Sequence, residues 1–254
     1  MAIVLKSPKE IEKMRRSGKV VREVLDHVRA HVKVGATTWD LEKAAAEKMK
    51  ELGAKPAFKG YKGSGGSEYP CVLCTSINQE VVHGIPSTKR VLREGDIVSL
   101  DCGVIIDGYY GDSATTVAVG TIGNKAQRLL EVTEKSLARG IAAVKPGATL
   151  GDVGAAVQEV VEADGFSVVR EFVGHGIGTK MHEDPQVPNY GERGRGMKLK
   201  AGMVICIEPM VNAGAPGVQV LQDGWTAITE DGSLSAHFEH TVAVTEDGAT
   251  VLTL

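Results

Sequence analysis

The chain has 254 residues, a length that allows one large domain of mixed helix and strand or two small ones. Apolar residues make up 43% and charged residues 24%, and the net charge of -3 gives no reason to expect a nucleic-acid or anionic-membrane partner. No run approaches the roughly 18 apolar residues of a membrane span, the opening MAIVLKSPKEIEKM is too briefly apolar for a secretory signal, and four cysteines make no disulfide framework at this length. A reducing cytoplasm is the expected compartment.

Ser7-Pro8 marks a helix start, with Pro at the first helical position, and Ile11, Met14, Val20, Val21, Val24, Leu25 and Val28 recur at helical spacing. A second helix is expected from about Thr38 to Leu52, stopped by Gly53, and then a Gly-rich loop over 59–68. Residues 96–106 and 109–119 read as strands joined by Asp107-Gly108, a strong hairpin signal. Helices are expected again at about 124–144 and 149–164, and strands near 168–173, 203–207, 218–221 and 238–244.

The chain also repeats itself. Residues 32–53 align without gaps on residues 144–165 with nine identities, among them Gly35/Gly147, Thr37/Thr149, Asp40/Asp152 and Gly53/Gly165. His83-Gly84-Ile85 then matches His175-Gly176-Ile177, and EGDIVSLD ending at Asp101 matches AGMVICIE ending at Glu208. Three matches in the same order imply a duplicated α-α-β unit with pseudo-two-fold symmetry. The expected architecture is one α+β domain, 1–254, with halves of about 1–122 and 123–254 whose site-forming strands meet at the centre. Thr37 and Thr149 read as helix N-caps.

Four carboxylates fall on or beside apolar strands. Asp101 ends the run Val98-Ser99-Leu100, and Asp112 lies on the returning strand. With Asp107-Gly108 as a two-residue turn, Gly103 faces Asp112 and Ala114 faces Asp101, so both acids share one face. Glu208 follows five apolar residues and precedes Pro209. Glu239 stands in HFEHTVAV. Burying one unpaired ionised carboxylate costs several kcal/mol, and no Arg or Lys lies within these strands except Arg93 and Lys200 at their edges. A single strand-end acid half in solvent is commonplace; acids at equivalent places of a repeat point instead to divalent metal. His175 and His182 stand in GHGIGTKMH, where alternating glycines rule out a helix and let backbone approach closely. Cys71, Cys74, Cys102 and Cys206 read as buried thiols without metal, His182-Glu183 lacks the second His of a zincin, and Arg193 to Lys200 reads as a solvated basic loop.

HGIP, LDCGVIIDGYYGD, GHGIGTKMHEDPQVPNY, IEPM and EHT together resemble the methionine aminopeptidases of the short bacterial type, over nearly the whole chain. The resemblance implies the pita-bread fold, shared with aminopeptidase P, prolidase and creatinase, around a central antiparallel sheet. It implies two divalent ions (Co, Mn, Fe or Zn) held by Asp101, Asp112, His175, Glu208 and Glu239, and hydrolysis of the initiator methionine by a metal-bridging hydroxide. Glu208 would move the proton, His182 would stabilise the oxyanion and His83 would contact the scissile nitrogen. Tyr69, Cys74 and Trp225 would line the methionine pocket, with Phe58, Tyr61 and Met181 near it, and Asn78 and Ser235 resemble a monovalent-cation site. The expected partner is a peptide or nascent-chain N-terminus, met by a monomer that admits transient ribosome contact. Proline-directed peptidases of this fold commonly carry a preceding domain, and non-catalytic relatives lose metal ligands; neither pattern fits this sequence.

Overall fold

The computed structural model describes residues 3–63 and 66–254. Ser64 and Gly65, within the loop expected at 59–68, lie outside the described residues. Among the described residues four helices form: α1 (Pro8–Arg29), α2 (Thr38–Glu51), α3 (Asn124–Ala142) and α4 (Leu150–Ala163). Ser7, Thr37 and Thr149 cap α1, α2 and α4 in reciprocal capping boxes with Glu10, Asp40 and Asp152. The strands are β1 (Lys55–Pro56), β2 (Leu73–Ile77), β3 (Glu80–Val82), β4 (Ile97–Ile106), β5 (Tyr109–Ala118), β6 (Ser167–Val168), β7 (Gly174–Gly176) and β8 (Glu183–Val187). There follow β9 (Val204–Ile207), β10 (Met210–Asn212), β11 (Val218–Val220), β12 (Ala227–Thr229), β13 (Ser235–His237), β14 (Glu239–Thr245) and β15 (Gly248–Val251).

Nine strands form one antiparallel sheet in the order β1-β4-β5-β14-β9-β7-β8, with β2 beside β4 and β15 beside β14. The helices pack on one side of it. Val98, Leu100, Cys102 and Val104 of β4 join Val21, Leu25 and Leu41 of α1 and α2 in one core. Ile205 and Ile207 of β9, with Val242 and Val244 of β14, join Leu129, Val132, Val153 and Val157 of α3 and α4 in the other. The contact of α1 is close: a Cβ at Gly18 would meet the Leu252 carbonyl oxygen at 2.1 Å, so only glycine fits. The strand residues between these core positions look to the opposite side. The first and second helix pairs thus cover the two ends of the sheet, and the β5–β14 pairing joins them at the centre through Glu239↔Ala114 and His240↔Ser113.

The strand expected near 168–173 is corrected by the structure. Only Ser167–Val168 pairs there, and the strand that enters the large sheet is Gly174–Gly176. Arg170 and Glu171 are exposed, whereas a Cβ at Gly174 would lie 2.2 Å from the Cys206 carbonyl oxygen and one at Gly176 2.3 Å from that of Asp184. The absence of side chains that hides this strand from an apolar pattern is what lets it fit. Two further sheets have three strands each, β11-β12-β3 and β13-β10-β6, and Val168, Val211 and Ala236 of the second join the core of α3 and α4.

Candidate active site

The hairpin register is the one the turn implied: Asp101↔Ala114 and Gly103↔Asp112. Directly opposed residues point to the same face, and Ala114 is in turn opposed by Glu239. Asp101, Asp112 and Glu239 therefore share the side of the sheet away from the helices. Ile207 pairs with His240, so Glu208, one residue on, comes level with Glu239 just as Pro209 ends the strand. Asn189 holds that turn by donating Nδ2–H to the Glu208 carbonyl at 3.0 Å. The Thr241 hydroxyl donates to the Asp112 carbonyl at 2.7 Å, and the Ser113 hydroxyl to that of Glu239 at 2.6 Å, tying the central strands together.

His175 completes the group from β7. Its Nδ1 lies 2.8 Å from the Gly176 carbonyl, which can only accept, so Nδ1 carries the proton and the Nε2 lone pair is free. That Nε2 stands 3.7 Å from Asp112 Oδ2 and 3.5 Å from Glu208 Oε1. Burial lowers the His175 pKa to about 4, so the ring is neutral at pH 7.

All four carboxylates are buried or nearly so, and Asp101 Oδ1, Asp112 Oδ1, Glu208 Oε1 and Glu239 Oε1 have no hydrogen-bond partner. No ion pair with Lys or Arg serves them among the described residues. Desolvation, then mutual repulsion, raises Asp101, Glu208 and Glu239 well above the usual carboxylate range. Desolvation raises Asp112 to about 8, against the pull of a backbone hydrogen bond from Ser113. Orphaned carboxylate oxygens around a free imidazole nitrogen fit divalent cations. Ligand atoms of Asp112, His175, Cys206 and Glu239 lie within 4.8 Å of one another. The Cys206 thiol, expected as a buried thiol without metal, is thus a neighbour of the cluster. It sits 3.6 Å from Thr241 Oγ1, and burial among carboxylates keeps it protonated. Cys71, Cys74 and Cys102 are free and buried, and Cys102 faces the helices.

The carboxylates form one end of a cavity of about 270 Å³ whose walls include His83, His182, Phe58, Tyr61, Tyr69, Cys74, Met181 and Trp225. Cys74 is the strand partner of Asp101, so the apolar wall begins directly beside the acids. Tyr69 is locked by its hydroxyl, which reaches the carbonyls of Leu73 at 3.1 Å and Gly84 at 3.0 Å. Its ring stands edge-on to Trp225 at 5.2 Å and to Phe58 at 6.5 Å. Gly63 lies flat on Trp225, where a Cβ would come within 2.9 Å of the indole. Phe58, Tyr61 and Met181, expected near the pocket, all line the cavity.

His83 occupies a left-handed backbone conformation, φ 61°, a strained state for a residue with a side chain. Its ring meets Phe172 at 5.6 Å and Trp225 at 6.2 Å, both nearly perpendicular. Burial first, and the neighbouring imidazole of His182, lower its pKa to about 4. His182 is exposed at the cavity wall, yet the groups around it, and then His175, lower its pKa to about 4 as well. Both rings are neutral near pH 7.

Two site residues escaped the sequence reading. Phe172 lies on an irregular loop and carries no local signal. His237 ends β13 and Glu239 opens β14 in a different sheet, so no period along a single strand marks it. Its Nε2 is 4.0 Å from Glu208 Oε2, and both ring nitrogens lack partners. Asn78 and Ser235 are adjacent, with Ser235 N–H donating to the Asn78 carbonyl at 2.8 Å, and Asn78 has φ 55°.

Residues 12–246 match the model of metallopeptidase family M24. The chain is 50% identical over 252 residues to the methionine aminopeptidase of Clostridium acetobutylicum, covering 99% of both. It superposes with TM-score 0.96 and 50% identity on the crystal structure of methionine aminopeptidase from Thermotoga maritima, covering 99% of each. At 24% identity, the prolidase of Pyrococcus horikoshii shares the fold alone, with TM-score 0.77 over 99% of this chain and 63% of that one. The architecture is accordingly the pita-bread fold, and the chain belongs to metallopeptidase family M24, among its methionine aminopeptidases.

Proposed function

We propose that this chain hydrolyses the N-terminal methionine from peptides and nascent proteins, the initiator methionine above all. The observation that carries the reading is a cavity with four orphaned carboxylates at one end and an aromatic, sulfur-lined wall directly beside them. The relatives named methionine aminopeptidases, matched over nearly their full length, support it.

Asp101, Asp112, His175, Glu208 and Glu239 would hold two divalent ions, four negative charges balancing four positive ones. Mixed oxygen and nitrogen donors suit Mn, Fe, Co or Zn. When bound, such ions supply Lewis acidity and a water acidic enough to ionise near neutral pH. The remaining roles belong to the chain. Glu208, which lines the cavity, takes a proton from the attacking water and returns it to the leaving amine. Neutral His182 donates to the carbonyl oxygen as it gains charge. Neutral His83, pinned between Phe172 and Trp225, contacts the scissile nitrogen. Tyr69, Cys74 and Trp225 receive the methionine side chain.

We take residues 1–254 as one catalytic unit of two halves, about 1–122 and 123–254. It acts as a monomer in the cytoplasm, where its four free, buried cysteines stay reduced, with transient ribosome contact. The Asn78 carbonyl beside Ser235 is the place for a monovalent cation. No helix among the described residues is long and apolar enough to cross a membrane.

The test is substrate choice by metal-reconstituted protein. Release of methionine from Met-Ala-Ser, with Xaa-Pro peptides left intact, is the expected result. Cleavage before proline would reassign the chain to a proline-directed activity, and inertness with every metal would remove the enzyme reading.

A further inference from the structure

Tyr61 stands in the glycine-rich loop beside the cavity. Its backbone is tied twice, Tyr61 N–H to the Phe58 carbonyl at 2.8 Å and Tyr69 N–H to the Tyr61 carbonyl at 2.9 Å. Its hydroxyl lies 2.6 Å from Nδ1 of His182, and the two rings are 5.1 Å apart at 70°. The opposite constraint on His182 is the His175 ring, 4.3 Å away at 69°. The imidazole is therefore held between a phenol and a second imidazole.

A neutral imidazole has one nitrogen that donates and one that accepts. Two arrangements are open: the phenol donates to Nδ1 and the ring proton is on Nε2, or Nδ1–H donates to the phenol oxygen and Nε2 is bare. At 2.6 Å the contact is a hydrogen bond in either arrangement, but only the first leaves the ring an N–H to offer the cavity.

We infer that Tyr61 is the positioning residue of His182: its hydroxyl donates to Nδ1 and so fixes the imidazole as the Nε2–H tautomer. The inference rests on the reading of His182 as the donor to the substrate carbonyl, because only an Nε2–H ring can donate into the cavity while Nδ1 is engaged. It also joins two functions in one piece of chain. The loop that carries Tyr61 also carries Gly63, which lies on Trp225 in the wall beside Tyr69 and Cys74.

Tyr61→Phe is the informative variant, since it removes the oxygen and keeps the aromatic wall. In protein labelled with 15N-histidine, the wild-type His182 at pH 7 is expected as a single Nε2–H tautomer, and the variant as a mixture. With Met-Ala-Ser, kcat should fall roughly tenfold while KM stays within twofold. Complete loss of an oxyanion donor costs roughly 100–1,000-fold, and a freed ring still visits the Nε2–H form. An Nδ1–H tautomer in the wild type, an unchanged spectrum in the variant, or a raised KM at constant kcat would overturn the inference. His182→Asn separates it from the reading beneath: full kcat in that variant defeats the donor role of His182, whereas the tautomer spectrum of the wild type does not depend on it.

Discussion

The halves about residues 1–122 and 123–254 begin alike and end differently. Thr37 and Thr149 cap their helices with the same reciprocal bonds, Gly35 and Gly147 share φ 85°, and each cap forms an isolated bridge to a later segment, Val91 in one half and Lys198 in the other. The His-Gly-Ile triplets then diverge. His175 lies in a strand of the large sheet, where Gly176 pairs with Ile205, and its ring turns to the carboxylates. His83 follows a strand of a small sheet, bends through φ 61° and turns its ring to Phe172 and Trp225. In the proposed function one triplet would supply a metal ligand and the other a substrate contact. The acids diverge more gently: Asp101 sits inside a long strand, while Glu208 lies just past the end of a short one and has the longer side chain to make up the reach. Equivalent places in a repeat fix where a residue stands; which sheet its strand joins decides what it does.

The largest break in this comparison is Asp112→Asn. If Asp112 is a ligand shared by both ions, its loss forfeits several kcal/mol of charge stabilisation, and about 4 kcal/mol corresponds to roughly a thousandfold in turnover. Steady-state kinetics alongside circular dichroism should find activity at or below that level in folded protein; near-normal turnover would remove Asp112 from the centre. Stability without metal should move the other way. The folded pKa of Asp112 is raised to about 8, above its unfolded value near 3.9. Its contribution is therefore complete below about pH 4 and is lost as pH rises through about 8. Metal-free wild type should lose stability across that window, and the Asn variant should lose less. Melting curves at pH 5 and pH 8.5 measure the difference.

The next effect separates the two triplets. His175→Ala should weaken Mn binding by at least ten- to hundredfold, the range already seen when only the support of a ligand is lost. His83→Ala should leave that affinity within twofold and lower kcat by about a hundredfold. Calorimetric titration beside kinetics reads both, and equal losses of Mn affinity would erase the contrast.

Much of this was legible beforehand because it depends on local rules. Asp107-Gly108 set the hairpin length, and the period of two then put Asp101 and Asp112 on one face. Five apolar residues before Glu208 announced a buried strand, and the repeat placed it opposite Asp101's half. The glycine strand Gly174–Gly176 was not legible as a strand, since its pairing depends on carbonyls of Cys206 and Asp184 distant in sequence. Nor was the Tyr61–His182 contact, which spans 121 residues. Nor was His237, which ends a strand of a small sheet and meets Glu208 only in the folded chain.

The smallest effect tests where the two halves agree. Thr37→Ala and Thr149→Ala each remove a hydroxyl that accepts from the backbone N–H three residues on, at 3.2 Å in both cases. Each also strips a hydroxyl donor from the capping carboxylate, at 2.7 Å for Asp40 and 2.9 Å for Asp152. Loss of such a cap costs about 1 kcal/mol, or roughly 2–4 °C in Tm for a chain of this size. The caps lie on different helices with no shared partner, so the double variant should show the sum within about 0.5 kcal/mol. Equal, additive losses would mean that the halves remain interchangeable at their helix starts although their histidines are not. A markedly larger cost at Thr149, the more buried of the two, would mean that the second half has drifted in its packing as well as in its chemistry.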